Sequence, residues 1–284
     1  MKWLLSILSF FLVFTACTTT PGTITQNGSS ESENVQGPIE VKKVIPLVTL
    51  AVSHYADGLE SGRVVSTWND EGYLVREETW NASKILSEYK TSTLSGSTQI
   101  FRSMNGQDEL QSIKTLTFNK NMKPLRETFS NSKEEPQSIS EWVYDEKGNL
   151  LSWKARNGSG TLLAETIYLY NDKGQNQKIE LKDASGLLTG SFVNAYNSEG
   201  LLTKKTEVDA TGKTVGATVY TYEKGVLIQE DQQTADGILL RSIKYLNNSE
   251  GWPVKIQYID RRGRILEIKD LTYTSITRSE WIQL

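Results

Sequence analysis

Tyr144-Asp145-Glu146-Lys147-Gly148-Asn149-Leu150 opens a unit that closes at Tyr168-Leu169-Tyr170 and then starts again. Tyr144, Tyr170, Tyr196 and Tyr222 recur at one fixed interval. A period of about 26 residues is the mark of a tandem-repeat architecture. Gly148, Gly174 and Gly200 stand at the same place after the first three tyrosines, and Gly225 comes one position early after the fourth. Midway through each unit lies a second turn signal: Asn157-Gly158-Ser159-Gly160, Asp183-Ala184-Ser185-Gly186, Asp209-Ala210-Thr211-Gly212. Asp or Asn at the first position of a type I turn accepts backbone hydrogen bonds from the residues ahead of it. A glycine at the fourth position takes the left-handed conformation that closes a hairpin. Between turns there is room for a strand and no helical spacing of apolar residues.

Outward from this core the period continues. Phe118 precedes Tyr144 by the same interval, and Tyr273 follows Asn247 by it. Asn69-Asp70-Glu71-Gly72 and Ala56-Asp57-Gly58 fit the earlier turns. In residues 81–136 the expected glycines are replaced by Lys84, Asp108 and Glu134, which predicts a different turn conformation there. Short loops force antiparallel neighbours. The predicted fold is all-β: a long antiparallel meander of about nine two-stranded repeats and roughly nineteen strands, over residues 41–284. A sheet of that many strands twists and curls, so a curved or superhelical sheet is expected, rolled at the extreme until its faces meet.

The quoted turn and the Tyr168-Leu169-Tyr170 and Tyr220-Thr221-Tyr222 endings resemble the YD-repeat (RHS-like) proteins, over most of residues 58–273. That resemblance implies a β-repeat architecture. The hollow cage of large family members is not implied, because this chain is too short to enclose a domain.

The N-terminus carries an address. Lys2 precedes a mostly apolar run from Trp3 to Phe14, and Thr15-Ala16 precede Cys17, the single cysteine. Residues 1–16 read as a secretory signal, too short to span a bilayer. Phe14-Thr15-Ala16-Cys17 resembles a bacterial lipobox, with Phe where Leu is usual. That implies lipidation of Cys17, and the alternative is an ordinary signal peptide with an incidental cysteine. Residues 17–40, small and polar, read as the lipidated cysteine with a disordered tether. Thr18 at the position after the cysteine resembles lipoproteins sorted to the outer membrane. The expected location is therefore the bacterial cell envelope, lipid-anchored, at the outer membrane.

The net charge of −3 and the dispersed Lys and Arg argue against nucleic acid. A hydrophobic content of 37% suits a sheet with a wet face. A transmembrane barrel needs an uninterrupted outward apolar band. Against one, Lys204 falls on one face of its strand and Lys205 with Glu207 on the other. One histidine, His54, and no free thiol beyond Cys17 leave no catalytic triad and no zinc set. The Asp and Asn turns could offer calcium oxygens, but turn chemistry accounts for all of them. Glu77 and Glu78, adjacent on a strand, face opposite sides and do not converge as a glycosidase pair. No enzyme activity, cofactor or metal is expected. The partners expected are the membrane, through the lipid, and an envelope protein or glycan. One sheet face carries Trp142, Tyr144, Tyr168, Tyr170, Tyr196, Tyr220 and Tyr222. These are the candidate ligand-facing aromatics if exposed, and core if buried.

Overall fold

In a computed structural model the described residues are 39–282, and every regular element is a strand. In chain order these are β1 (Ile39–Tyr55), β2 (Glu60–Trp68), β3 (Leu74–Asn81), β4 (Leu86–Ser95), β5 (Thr98–Asn105) and β6 (Leu110–Phe118). The middle third is β7 (Pro124–Asn131), β8 (Pro136–Tyr144), β9 (Leu150–Asn157), β10 (Leu162–Tyr170), β11 (Asn176–Asp183) and β12 (Leu188–Tyr196). The last are β13 (Leu202–Asp209), β14 (Thr214–Glu223), β15 (Val226–Thr234), β16 (Leu239–Asn247), β17 (Pro253–Asp260) and β18 (Ile265–Ile282). Signal, Cys17 and most of the tether lie outside the described residues. β1 begins at Ile39, inside the stretch expected to be tether.

Each strand pairs antiparallel with the next, and β1 also pairs with β18. The sheet is therefore a closed barrel of 18 strands, and the expectation of a curved or superhelical sheet is corrected. The count falls one short of the sequence reading because β18 is a single strand of 18 residues that runs on past Tyr273. At the seam Thr49 Oγ1 donates to the Thr272 carbonyl at 3.2 Å. His54 Nε2 lies 3.1 Å from Asp270 Oδ2, and Lys255 Nζ lies 2.6 Å from Asp270 Oδ1. Beyond the seam Arg278 donates to the Glu71 carbonyl at 2.6 Å and sits over the Tyr73 ring.

A physical cause of closure repeats along the chain. Nearly every strand pairing shifts register next to a turn, as between Val143 and Tyr144, Leu169 and Tyr170, or Ala195 and Tyr196. Such bulges bend the strand and raise its right-handed twist. Summed over the meander they bring the two edges together, and closure removes both unpaired edges. The β4–β5 hairpin lacks a shift and uses the two-residue turn Gly96-Ser97.

The turns follow the sequence rule. Asn157 Oδ1 accepts from the Ser159 and Thr161 N–H groups, and Asp183 Oδ1 from those of Ser185 and Leu187. In residues 81–136 the expected change of conformation does not occur. Lys84, Asp108 and Glu134 have φ of 59°, 63° and 66°, the same left-handed state that glycine takes elsewhere. Asn81, Asn105 and Asn131 hold those turns with the same pair of backbone bonds. The short turn after Tyr222 has Lys224 and Gly225 both at positive φ, as a two-residue hairpin of type I′ requires.

Among the described residues no large side chain is fully buried, and only Leu47, Leu116, Ile139 and Ile256 are buried hydrophobics. The barrel has no packed centre. An 18-strand ring is wide enough to leave an aqueous interior.

Candidate inner-wall binding surface

Register assigns the side chains to two walls. Trp142 pairs with Trp153, Trp153 with Thr166, Tyr168 with Ile179, and Ile179 with Phe192. Asn194 pairs with Lys205, Lys205 with Thr218, Tyr220 with Glu230, and Tyr245 with Ile256. One face therefore carries Trp142, Tyr168, Asn194, Tyr220 and Tyr245, on β8, β10, β12, β14 and β16. Burial pushes the Tyr168, Tyr220 and Tyr245 hydroxyls up, Tyr220 to about 12, and pulls the Lys205 ammonium down. Their depth marks this as the concave, inner wall.

The seven aromatics singled out from sequence all lie on this wall, all partly buried, and they divide into two groups. Tyr170, Tyr196 and Tyr222, at strand ends, donate their hydroxyls to the carbonyls of Leu150, Asn176 and Leu202 at 2.9, 2.7 and 2.9 Å. Each acceptor begins or nearly begins the preceding strand, so the hydroxyl spans the bulge and clamps the hairpin end. Tyr273 does the same to Pro253, and Trp68 Nε1 and Asn247 Nδ2 take the same role at Val48 and Leu227. Trp142, Tyr168 and Tyr220, further inside, make no side-chain hydrogen bond among the described residues. Trp142 and Tyr144 border a rim cavity of about 560 Å³ together with Asn121 and Glu146.

Sequence reasoning missed Asn194, Lys205, Glu230 and Tyr245. Asn194 sits one full period after Tyr168 and one before Tyr220, so the tandem period itself marks it as the break in an aromatic series. Its Nδ2 donates to the Asn176 carbonyl and Oδ1, both at 2.9 Å, while its own Oδ1 is buried without a partner. An unpaired buried acceptor costs about 1–3 kcal/mol. Lys205 Nζ stands 4.4 Å over the Phe192 ring, and Glu230 and Glu207 act on it against the effect of burial. Tyr245 donates to Glu230 Oε1 at 2.6 Å; burial first, then this bond, raises its hydroxyl pKa.

The outer wall is charged. Arg126, Glu141, Lys154, Glu165 and Lys182 are register partners across five successive strands and alternate in sign. Arg126–Glu141 is 2.6 Å, Arg156–Glu141 2.9 Å and Lys154–Glu165 3.4 Å. Exposed Val143, Leu169, Val193 and Leu246 stand between these charges. Glu77 and Glu78 are separated as expected: Glu77 holds Lys90 at 2.9 Å, and Glu78 holds Arg76 at 2.7 Å. His54 Nδ1 contacts the Gly58 carbonyl at 3.2 Å, so the one histidine belongs to the seam. Among the described residues no three His, Cys, Asp or Glu side chains gather as a metal set, and no helix is long and apolar enough to cross a membrane.

No known protein family and no curated protein matches the chain in sequence. Among solved structures it is similar to a porin-like protein from Bacteroides uniformis, at 9% identity over 80% of this chain and 96% of that one, with a TM-score of 0.45. A porin-like protein from Bacteroides vulgatus is similar at 15% identity over 80% and 98%, with a TM-score of 0.42. The Tc holotoxin pore of Photorhabdus luminescens is similar at 12% identity over 78% of this chain and 15% of that one, with a TM-score of 0.27. The YD-repeat resemblance is corrected. No family match supports it, and the strands close on themselves in one ring where a repeat solenoid would leave two ends.

Proposed function

We propose that this is a lipid-anchored, non-catalytic protein of the bacterial outer membrane whose barrel binds another macromolecule on its inner wall. Lipid at Cys17 would hold it to the bilayer, and residues 18–38 would let the barrel stand clear of it. The observation that carries the binding reading is the inner row itself. Trp142, Tyr168 and Tyr220 are large aromatics left part-exposed on the wall of an unfilled interior, with no side-chain bond to explain their place. Aromatic bodies in such positions supply contact area at low conformational cost. The outer wall supports the same division of labour. Its paired charges satisfy one another, and an unbroken lipid-facing band is missing from the stretch β7–β11.

Two measurements test this. Radiolabelled palmitate should enter the wild-type chain and not a Cys17→Ala form. Envelope extract passed over the immobilised chain should yield a retained macromolecule that Tyr168→Ala/Tyr220→Ala loses and Leu169→Ser/Leu246→Ser, on the outer wall, retains. Equal loss from both pairs would remove the inner wall from the proposal.

A further inference from the structure

We infer that the inner wall between β8 and β16 is a subsite array for a linear, uncharged oligosaccharide lying across the strands, and that Asn194 and Lys205 form its polar grip. This rests on the reading of the inner wall as the binding surface and adds the class of ligand.

The argument begins with spacing. Trp142, Tyr168, Asn194, Tyr220 and Tyr245 occupy alternate strands, so neighbours in the series stand about 10 Å apart, two strand spacings. The row thus runs for tens of ångströms across the sheet, which fits a chain of sugar units and exceeds a single ring. Aromatic faces offer apolar platforms to the C–H faces of sugar rings, and each platform is indifferent to which hydroxyls the sugar carries.

The break in the row supplies the polar contacts. At Asn194 the platform is replaced by a short amide whose Oδ1 has no donor. Its register partner Lys205 is followed across β14 by Thr218, with Gly216 two residues before it. Small residues around one lysine leave a notch in a wall otherwise built of rings. A sugar hydroxyl both donates and accepts. It can give its proton to Asn194 Oδ1 and accept from the Lys205 ammonium, which the fold occupies only with the Phe192 ring.

Charge selects against acidic sugars. Lys205 is balanced by Glu230 and Glu207, so the notch carries no surplus of positive charge to hold a carboxylate or phosphate. A neutral polyol satisfies the orphan acceptor without bringing a second uncompensated ion into a partly desolvated wall.

The full chain in detergent should bind cellohexaose or chitohexaose in isothermal titration, and a uronic-acid hexamer of equal length more weakly. Tyr168→Ala and Tyr220→Ala should each weaken neutral-hexamer binding by about 10-fold, the loss of one stacking contact. Lys205→Met should weaken it comparably without lowering the melting temperature, which separates grip from folding. Leu169→Ser on the outer wall should change nothing. No binding of any hexamer, or binding that survives Tyr168→Ala and Tyr220→Ala, overturns this inference. Preference for the uronic-acid hexamer overturns the charge argument and with it the assigned class. If hexamers fail while envelope extract still yields a protein retained through the inner wall, the glycan falls and the proposed function stands.

Discussion

Each turn is a residue-scale device with two parts: an Asp or Asn that gathers the backbone N–H groups ahead of it, and a residue held at positive φ. Gly160 has φ 88° and open space where a side chain would go, so Gly160→Ala tests backbone strain alone. It should destabilise the barrel by about 1 kcal/mol in a urea titration. Glu134 holds the same conformation with a side chain attached, and Glu134→Gly should stabilise by up to about 1 kcal/mol. The Asp turns also tie stability to pH. The Asn149 side chain on Asp145, the Ser185 hydroxyl on Asp183 and the Thr211 hydroxyl on Asp209 hold these carboxyls below their ordinary 3.8. A folded value below the unfolded one gives stability that is present above pH 3.8 and lost as pH falls through the folded values. The melting temperature should therefore drop on acidification below that point. The tyrosine clamps were half legible. Their period predicts equivalent positions at strand ends, but it does not reveal that the hydroxyl is held by a carbonyl 20 residues back. Tyr196→Phe should cost about 1 kcal/mol, one part-buried hydrogen bond, whereas Tyr168→Phe should cost nothing measurable.

At the scale of strands and hairpins, alternation placed Trp142, Tyr168 and Tyr220 on one wall, because a period of two fixes which side chains share a face. The bulges were not legible. A bulge is one extra residue opposite another strand, and it exists only once the partner's register is set. The same holds for the outer charge row. Arg126, Glu141, Lys154 and Glu165 are scattered along the sequence and become neighbours only when their strands align. Glu141 touches both Arg126 and Arg156, and the Arg156 hydrogen bond holds its carboxyl below the ordinary range. Glu141→Gln should lower stability by about 1 kcal/mol at pH 7. The difference should vanish in acid, where the wild-type carboxyl is protonated too.

For the whole molecule, the decisive contact joins the two ends of the described chain. β1 and β18 meet through Thr49, Thr272, His54 and Asp270, with the first two 223 residues apart in sequence. Proline in a central strand removes a ladder donor and breaks pairing. Thr272→Pro should open the seam, expose two strand edges and produce concentration-dependent oligomers by light scattering, while wild type stays of one size. The tandem units alone determined that the chain is an antiparallel meander with glycine- and asparagine-built turns, since these depend on residues a few positions apart. Whether that meander remained a ribbon or became a ring was settled only in three dimensions. Closure is the sum of small bends at many hairpins, completed by a pairing between distant strands, and no local stretch of sequence carries either quantity. The same closure turned one face of the sheet into an interior, and so made a row of ordinary strand aromatics into the wall of a binding space.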